Sequence, residues 1–211
     1  MTATLLTVLA FHMRTALKHL RKDPVLSEII ARVGPFTMQY REPAFETLAR
    51  SIVSQQLSTK AASTIFGRLI EAAGSPLTPE AILKMRPQSL RKLGLSEQKT
   101  VYLKELARHT RDGKVDFATL DTLPDEEIIR NLTQIKGIGV WTVQMFLMFA
   151  LRRPDVLPVA DLGIRSAMRR AWNLEELPTP DEMRRIGAAW SPWSSVACWY
   201  LWRSLENDAA L

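Results

Sequence analysis

The sequence predicts an all-α fold, and three observations lead to this prediction. Apolar residues recur at helical spacing in nearly every segment, as in Phe45, Leu48, Ile52 and Val53. The alternation of β-branched and polar residues that is typical of strands is hard to find. Capping residues, and glycine or proline stops, divide the 211-residue chain into short helical segments.

The first half of the chain divides into seven predicted helices. Asp23 followed by Pro24 is typical of a helix start, and Gly74 after an apolar run is typical of a helix end. Ser58 and Ser96 precede two further helices as N-caps. The predicted helices are Met1–Leu20, Pro24 to the residue before Gly34, Pro43–Gln56, Thr59–Ala73, Pro79–Met85, a short helix ending at Leu93, and one from the Ser96 cap to about His109.

The second half of the chain predicts five helices, and a turn with two glycines joins the first two. The acidic first turn of Asp125–Leu132 is favourably placed against the helix dipole. The other four predicted helices are Trp141–Leu151, one that begins at Asp161, one from the Pro178–Asp181 cap to Trp190, and Trp193–Glu206.

Composition and charge narrow the classes of function. Apolar residues make up 46% of the chain and charged residues 24%, which is typical of a globular protein. The 28 basic and 22 acidic residues give a net charge of +6, which suits a polyanionic partner. With one cysteine, Cys198, the chain cannot hold an iron–sulfur cluster, and its three scattered histidines do not repeat at ligand spacing, which argues against a metal enzyme.

The apolar N-terminal stretch Met1–Phe11 does not resemble a signal peptide. It has no preceding basic residue and no clear cleavage site of small residues. No later segment approaches the roughly 18 uninterrupted apolar residues of a membrane span. The expectation is therefore a soluble intracellular protein without a membrane partner. A monomer is also expected.

The turn from Lys136 to Trp141 carries Gly137 and Gly139 between two predicted helices. Closely spaced glycines let the backbone approach a ligand, and the first N–H groups of the next helix have no intrahelical partner. Such a turn is an anion site, and a phosphodiester is its natural occupant in a basic protein. An ordinary helical hairpin explains the two glycines equally well.

Asp161 follows an apolar connector at the predicted start of a helix. An N-cap is the simplest interpretation, although a carboxylate oriented by backbone N–H groups also suits the stabilisation of a developing positive charge. Most of the six tryptophans are expected in the core. Trp141 comes directly after the glycine turn, so its ring offers a stacking face for a flat or cationic base.

Four stretches of the sequence together resemble the helix-hairpin-helix DNA glycosylase superfamily, and within it the 3-methyladenine DNA glycosylase II branch. They are Ser51–Ala62, Lys136–Thr142, Asp161–Arg165 and the tryptophan-rich Trp190–Arg203. The resemblance covers about residues 40 to 205. It implies two helical subdomains with the active cleft between them.

The resemblance also implies subdomain boundaries. A hairpin subdomain is expected at residues 42–152, with the helix-hairpin-helix itself at about 125–151. Residues 1–41 and 153–211 are expected to form the second subdomain, which carries the catalytic aspartate and the tryptophan-rich C-terminal helices. The chain is expected to be a compact form without the N-terminal β-domain of larger relatives.

By the same resemblance, four residues stand at the catalytic and base-pocket positions of the family. Asp161 matches the catalytic aspartate, and Trp141 and Trp202 match aromatic positions of the pocket. Met145 stands where some relatives have a pocket tyrosine. The family places the lysine of its bifunctional members directly after the hairpin, and this chain has Trp141 there, so the resemblance implies a glycosylase without lyase activity.

The resemblance further assigns DNA contacts. Gly137 and Gly139 match the hairpin that donates N–H groups to DNA phosphate, with Lys136 as a neighbouring phosphate contact. Gln56 falls where the family inserts a wedge into the duplex. Lys60 and Lys99 are further hypothetical phosphate contacts. The resemblance also implies a structural Na⁺ or K⁺, held by the backbone carbonyls of Thr133, Ile135 and Ile138.

The implied function is base excision repair of double-stranded DNA that contains alkylated bases, of the 3-methyladenine or 7-methylguanine type. The enzyme would flip the base, hydrolyse its N-glycosidic bond and leave an abasic site, with no cofactor beyond the hairpin cation. Its expected location is the cytoplasm, in association with the nucleoid. Two alternatives stay open: a non-catalytic DNA-damage binding module with the same fold, and a helical scaffold whose basicity is incidental.

Overall fold

The computed structural model describes residues 13–208, and all of the regular structure in that range is helical. No β-strand occurs between residues 13 and 208, so the predicted all-α class is confirmed. The first part of the predicted helix Met1–Leu20 lies outside the described residues, and its described part is helical over residues 13–20. Within the same described range, no helix is both long and apolar enough to cross a bilayer.

Twelve α-helices are described, together with short 3₁₀ segments at Leu120–Thr122 and Ala188–Trp190. In chain order, the helices are α1 (13–20), α2 (Pro24–Val33), α3 (Phe45–Ser54), α4 (Thr59–Ala73), α5 (Pro79–Lys84), α6 (Pro87–Lys92), α7 (Glu97–Arg111), α8 (Asp125–Thr133), α9 (Val140–Phe149), α10 (Leu162–Ala171), α11 (Pro180–Gly187) and α12 (Ser194–Asp208).

Several predicted helix starts are confirmed, because the side chains that cap them bond as their residue types predict. Asp23 Oδ1 accepts hydrogen bonds from the backbone N–H groups of Val25 and Leu26, at 2.9 and 3.2 Å. Ser58 caps α4 and Ser96 caps α7 in the same manner. These bonds satisfy N–H groups that the first turn of a helix leaves without a partner.

Some predicted helix ends differ from the structure. The predicted helix Pro43–Gln56 is shorter, because α3 ends at Ser54 and Gln56 adopts a left-handed φ of 55°. The helix predicted to run to Trp190 ends at Gly187, where the chain tightens into a 3₁₀ turn. Helix α7 runs two residues past His109, to Arg111.

The chain forms two compact units, and Tyr40–Arg152 is one of them. Within this unit α7 packs on α3, α5 and α6, while α9 packs on α8 and α3. The fully buried Ile52, Leu103 and Val143 belong to its core. Because α9 is apolar on all sides, most of it is buried, and its first turn alone is exposed.

The other unit contains the described residues outside Tyr40–Arg152. In it α12 packs on α2 and on α10. Tyr200 on α12 is fully buried, and its hydroxyl donates a hydrogen bond to the carbonyl of Gly34 at 3.0 Å. This packing holds the N-terminus of α10 beside α12, which is where Asp161 lies.

Candidate active site and nucleic-acid interface

Asp161 is the N-cap of α10, and its side chain is only 8% exposed. Its Oδ1 accepts a hydrogen bond from the backbone N–H of Ile164 at 2.8 Å. The same oxygen accepts a second hydrogen bond from the indole Nε1 of Trp202 at 2.9 Å. The two interpretations of Asp161 are therefore compatible, because the bonds that cap the helix also orient the carboxylate.

Gly163 makes the close approach of Trp202 to Asp161 possible. A Cβ at this position would lie 3.0 Å from Cδ1 of Trp202 and 3.1 Å from Oδ1 of Asp161. Any side chain there would therefore push against both members of the hydrogen-bonded pair. Gly163 was not among the predicted site residues, although a glycine in the first turn of a helix, where it is unfavourable, is a signal of close packing.

Cys198 lies in the same unit and has no access to solvent. Its Sγ donates to the carbonyl of Val156 at 3.8 Å. Burial, and then the negative charges of Asp161 and Asp155, raise the pKa of the thiol far above its ordinary range. The thiol therefore stays protonated at neutral pH and cannot serve as a nucleophile.

Two other tryptophans of this unit pack in the core, as expected. Trp190 is fully buried and donates its indole N–H to Oδ2 of Asp23 at 3.2 Å. Trp199 is also buried, and the centroid of its ring lies 4.7 Å from that of Phe36. Asp23 and Asp161 are thus two helix-capping aspartates that each accept a hydrogen bond from an indole.

The glycine turn joins α8 to α9, and the buried side chains of Ile135 and Ile138 anchor it. Gly137 has a φ of 91°, and a Cβ there would lie 2.1 Å from Cδ2 of Tyr102. The backbone of Gly137 therefore packs directly against the tyrosine ring. The amide Nε2 of Gln55 donates to the carbonyl of Gly137 at 2.8 Å.

The start of α9 is the exposed part of the turn. Gly139 is its N-cap, and a Cβ there would meet no atom within 4 Å. Val140 and Trp141 are 51% and 46% exposed, unusually high values for large apolar side chains. The first N–H groups of α9 have no partner within the helix, so this end of α9 suits an anion. Lys136 is exposed on the same turn.

The carbonyls expected to hold a cation lie on a short, well-anchored stretch of the turn. The N–H of Ile138 donates to the carbonyl of Ile135 at 3.0 Å, which closes the backbone on itself. Within residues 13–208, no cluster of three or more histidine, cysteine or carboxylate side chains could hold a metal ion. Backbone carbonyl oxygens suit hard cations, and K⁺ is among the ions that they coordinate in proteins.

A cavity of about 400 Å³ in the Tyr40–Arg152 unit brings together three of the predicted site residues. Gln56, Trp141 and Met145 all line it, beside Arg41 and Arg50. Asp161 and Trp202 belong to the other unit, where they contact each other. The predicted site residues therefore form two groups, one around the carboxylate and one around the indole of Trp141.

Arg50 gives this cavity a fixed positive charge. Its guanidinium lies 3.9 Å above the ring of Phe66 and 4.0 Å from a carboxylate oxygen of Glu46. Burial, and then the positive charge of Arg41, lower the pKa of Arg50 from its ordinary value. Arginine stays cationic in proteins, so the cavity wall carries two positive charges that suit a phosphate.

Lys99 does not make the solvent-facing phosphate contact that the sequence suggested. Its Nζ instead donates to the carbonyls of Val53 and Gln55, at 2.7 and 2.6 Å. Burial lowers the pKa of this ammonium. Lys60 is exposed in the first turn of α4, and its contact with phosphate stays a prediction.

The chain is similar to known proteins of base excision DNA repair. A family model described as "HhH-GPD superfamily base excision DNA repair protein" matches residues 49–192. A putative DNA-3-methyladenine glycosylase from Bacillus subtilis is 33% identical over 92% of this chain and 70% of that protein. DNA-3-methyladenine glycosylase 1 from Schizosaccharomyces pombe is 40% identical over 80% of this chain and 75% of that protein.

A solved structure extends the comparison to three dimensions. The Schizosaccharomyces pombe 3-methyladenine DNA glycosylase, in complex with abasic DNA, superposes with a TM-score of 0.80. The match covers 89% of this chain and 95% of the yeast chain, at 37% identity.

Proposed function

Since the chain belongs to the HhH-GPD superfamily of base excision DNA repair proteins, we propose that it is a monofunctional glycosylase for alkylated purines in double-stranded DNA. It releases bases of the 3-methyladenine and 7-methylguanine type and leaves an abasic site. The names of its relatives support this substrate class.

The observation that carries the proposal is the orientation of Asp161. As the N-glycosidic bond lengthens, positive charge develops on the deoxyribose, as it does in glycoside hydrolysis. A buried carboxylate held by the N–H groups of Ile164 and Trp202 stabilises that charge without reorganising during the reaction. The same carboxylate orients the attacking water.

The positive charge of an alkylated purine makes the base easier to release from the sugar. A purine alkylated at N3 or N7 already carries a positive charge, so it leaves without being protonated and no general acid is needed. The base must first leave the duplex, at a cost of a few kcal/mol that is smaller where pairing is weak. Trp141 stacks on the cationic base, Met145 lines the same cavity, and Gln56 fills the space that the base leaves in the duplex.

The hairpin holds the DNA backbone. The N–H groups at the start of α9, beside Gly139, bind a phosphate, and Lys136 adds a charge on the same turn. A Na⁺ or K⁺ on the carbonyls of Thr133, Ile135 and Ile138 would supply further positive charge next to this phosphate.

The absence of lyase activity follows from the residue after the hairpin. A lyase needs an amine that attacks the sugar and forms a Schiff base. Trp141 stands where the lysine of bifunctional relatives is expected, and an indole cannot perform this step. The reaction therefore stops at the abasic site, with the DNA strand intact.

The test is release of methylated bases from alkylated duplex DNA by Asp161→Asn. Asparagine keeps the shape and an oxygen acceptor for the cap, but it loses the charge. We expect the single-turnover rate to fall by about 100-fold or more while binding to abasic-site DNA persists. Full activity of Asp161→Asn would remove this residue from the mechanism.

Asp23→Asn is the matched control. Asp23 caps α2 and accepts an indole N–H from Trp190, as Asp161 caps α10 and accepts one from Trp202. This variant should lower the melting temperature and leave the rate of base release unchanged. If the wild-type protein binds abasic-site DNA but releases no base from any lesion tested, the chain is a damage-binding module instead.

A further inference from the structure

The loop that carries Gln56 has a conformation that its own sequence does not favour. Gln56 has a φ of 55°, which residues other than glycine rarely adopt, and its side chain is exposed between α3 and α4. A strained residue persists only where its neighbours hold it. The contacts of the adjacent residues therefore decide how rigidly Gln56 is presented.

Lys99 provides the first of these contacts. The last carbonyls of a helix lack intrahelical partners and form the negative end of its dipole. The Nζ of Lys99 donates to the carbonyls of Val53 and Gln55, the second of which directly precedes Gln56. The ammonium therefore fixes the path of the chain at the point where α3 ends.

Gln55 provides the second contact. Its main-chain carbonyl accepts from Lys99, and its side-chain amide donates to the carbonyl of Gly137 in the hairpin. Gly137 is in turn packed against the ring of Tyr102, which lies three residues after Lys99 on α7. One turn of α7 thus supports both the Gln56 loop and the glycine turn.

We infer that Lys99 and Gln55 are positioning residues that join the Gln56 loop and the hairpin into one rigid element. The inference rests on the proposed function, in which the hairpin holds a phosphate and Gln56 enters the duplex. Because the two are linked, the grip on the backbone sets the depth and direction at which Gln56 enters. Loss of either link leaves DNA bound but the wedge misplaced.

The chain contains a matched control for Lys99. Lys104, also on α7, donates its Nζ to the carbonyls of Leu83 and Met85 at the end of α5. Both lysines are partly buried, and burial lowers the pKa of each. Lys99→Met and Lys104→Met therefore remove the same kind of helix cap, but only the first lies next to Gln56.

The experiment measures entry of the wedge without any base excision. The probe is a duplex with a tetrahydrofuran abasic-site analogue opposite 2-aminopurine, whose fluorescence rises when an inserted side chain unstacks it. Saturating wild-type protein should raise the fluorescence, and Gln56→Ala should abolish the rise. Lys99→Met should lose most of the rise, Lys104→Met should keep it, and Lys99→Arg, which can still donate to two carbonyls, should restore it.

A second variant covers the case in which Lys99→Met does not fold. Gln55→Met keeps the length of the side chain but cannot donate to Gly137, and it should also lose most of the rise at unchanged affinity for the duplex. In single-turnover excision, both variants should be slowed about tenfold or more, since small displacements at a reacting site are costly.

Several results would overturn the inference. A full fluorescence rise with Lys99→Met or Gln55→Met would overturn it, as would an equal loss with Lys104→Met or a wild-type rise that Gln56→Ala leaves intact. Because the probe has no base to remove, a wild-type protein that raises the fluorescence but excises nothing refutes the proposed glycosylase activity and leaves this inference standing.

Discussion

The indole Nε1 of Trp202 donates a hydrogen bond to Oδ1 of Asp161, 41 residues away in the chain, at 2.9 Å. The resemblance to the glycosylase family predicted Trp202 as a wall of the base pocket. The hydrogen bond gives this side chain a task that the resemblance did not include, because it sets the direction of the carboxylate. A hydrogen bond to a charged group contributes about 1.5–3 kcal/mol, so this task is measurable.

Trp202→Phe keeps an aromatic ring and removes the N–H donor. We expect base release to slow by about 10-fold to 100-fold while affinity for abasic-site DNA stays close to wild type. Single-turnover kinetics and a binding titration measure the two quantities. Trp190→Phe is the control, because it removes the corresponding bond to Asp23 and should lower thermal stability without changing the rate of base release. Equal rates of base release for Trp202→Phe and wild type would exclude a role for the indole N–H of Trp202.

Gly163→Ala places a Cβ about 3 Å from both members of the Trp202–Asp161 pair. The expected result is a loss of base release of about 10-fold, because the carboxylate turns away from its aligned position. Gly67→Ala, in α4, is the control, since a Cβ there meets no atom within 4 Å and should add about 0.5–1 kcal/mol of stability. Unchanged kinetics in Gly163→Ala would mean that the pair tolerates displacement.

Gly139→Asp separates DNA binding from folding. The position is an open N-cap, where aspartate is favoured over glycine by a few tenths of a kcal/mol, so the melting temperature should hold or rise. Affinity for duplex DNA should nevertheless fall at least about tenfold, because the carboxylate repels the phosphate that the hairpin is proposed to bind. Gly139→Ala should keep the DNA affinity of wild type and lower the melting temperature slightly, since alanine is a poorer N-cap than glycine. Equal DNA affinity of the aspartate variant would contradict the phosphate site.

Trp141→Ala removes the exposed indole that lines the cavity. Because the residue is 46% exposed and so about half-buried, the free energy of unfolding should fall by about 1–2 kcal/mol. Base release should fall by about 10-fold or more, since stacking of one base on an aromatic ring contributes about 1–3 kcal/mol. The neighbouring Val140→Ala, also exposed, is the comparison, and equal losses in both variants would argue against stacking.

Local patterns in the sequence were sufficient to predict the all-α class and many helix starts. The caps at Asp23, Ser58 and Ser96 act within three residues, so residue type alone indicates them. The helix end at Gln56 was misplaced for the opposite reason. Lys99 binds the carbonyls of Val53 and Gln55, at the end of α3, from 46 and 44 residues away, and no local signal reveals such a contact.

The candidate site shows the same difference between local sequence signals and contacts between distant residues. Asp161, the two glycines and Trp141 lie in short motifs that a reader of the sequence can recognise. The bond of Gln55 to Gly137 spans 82 residues, and the packing of Gly163 against Trp202 depends on how α10 meets α12. Such supports are determined by tertiary structure, so they were found only in three dimensions.

Oδ1 of Asp161 accepts one hydrogen bond that caps α10 and another from Trp202, so the alignment of the carboxylate depends on a single helical turn. The bond from Ile164 closes the first turn of α10, and that turn fixes where the carboxylate points. Helix ends fray more easily than helix centres. On warming, base release should therefore be lost reversibly at a temperature at which circular dichroism still reports a folded protein. The difference between the temperature of activity loss and the temperature of unfolding measures how firmly that turn is closed.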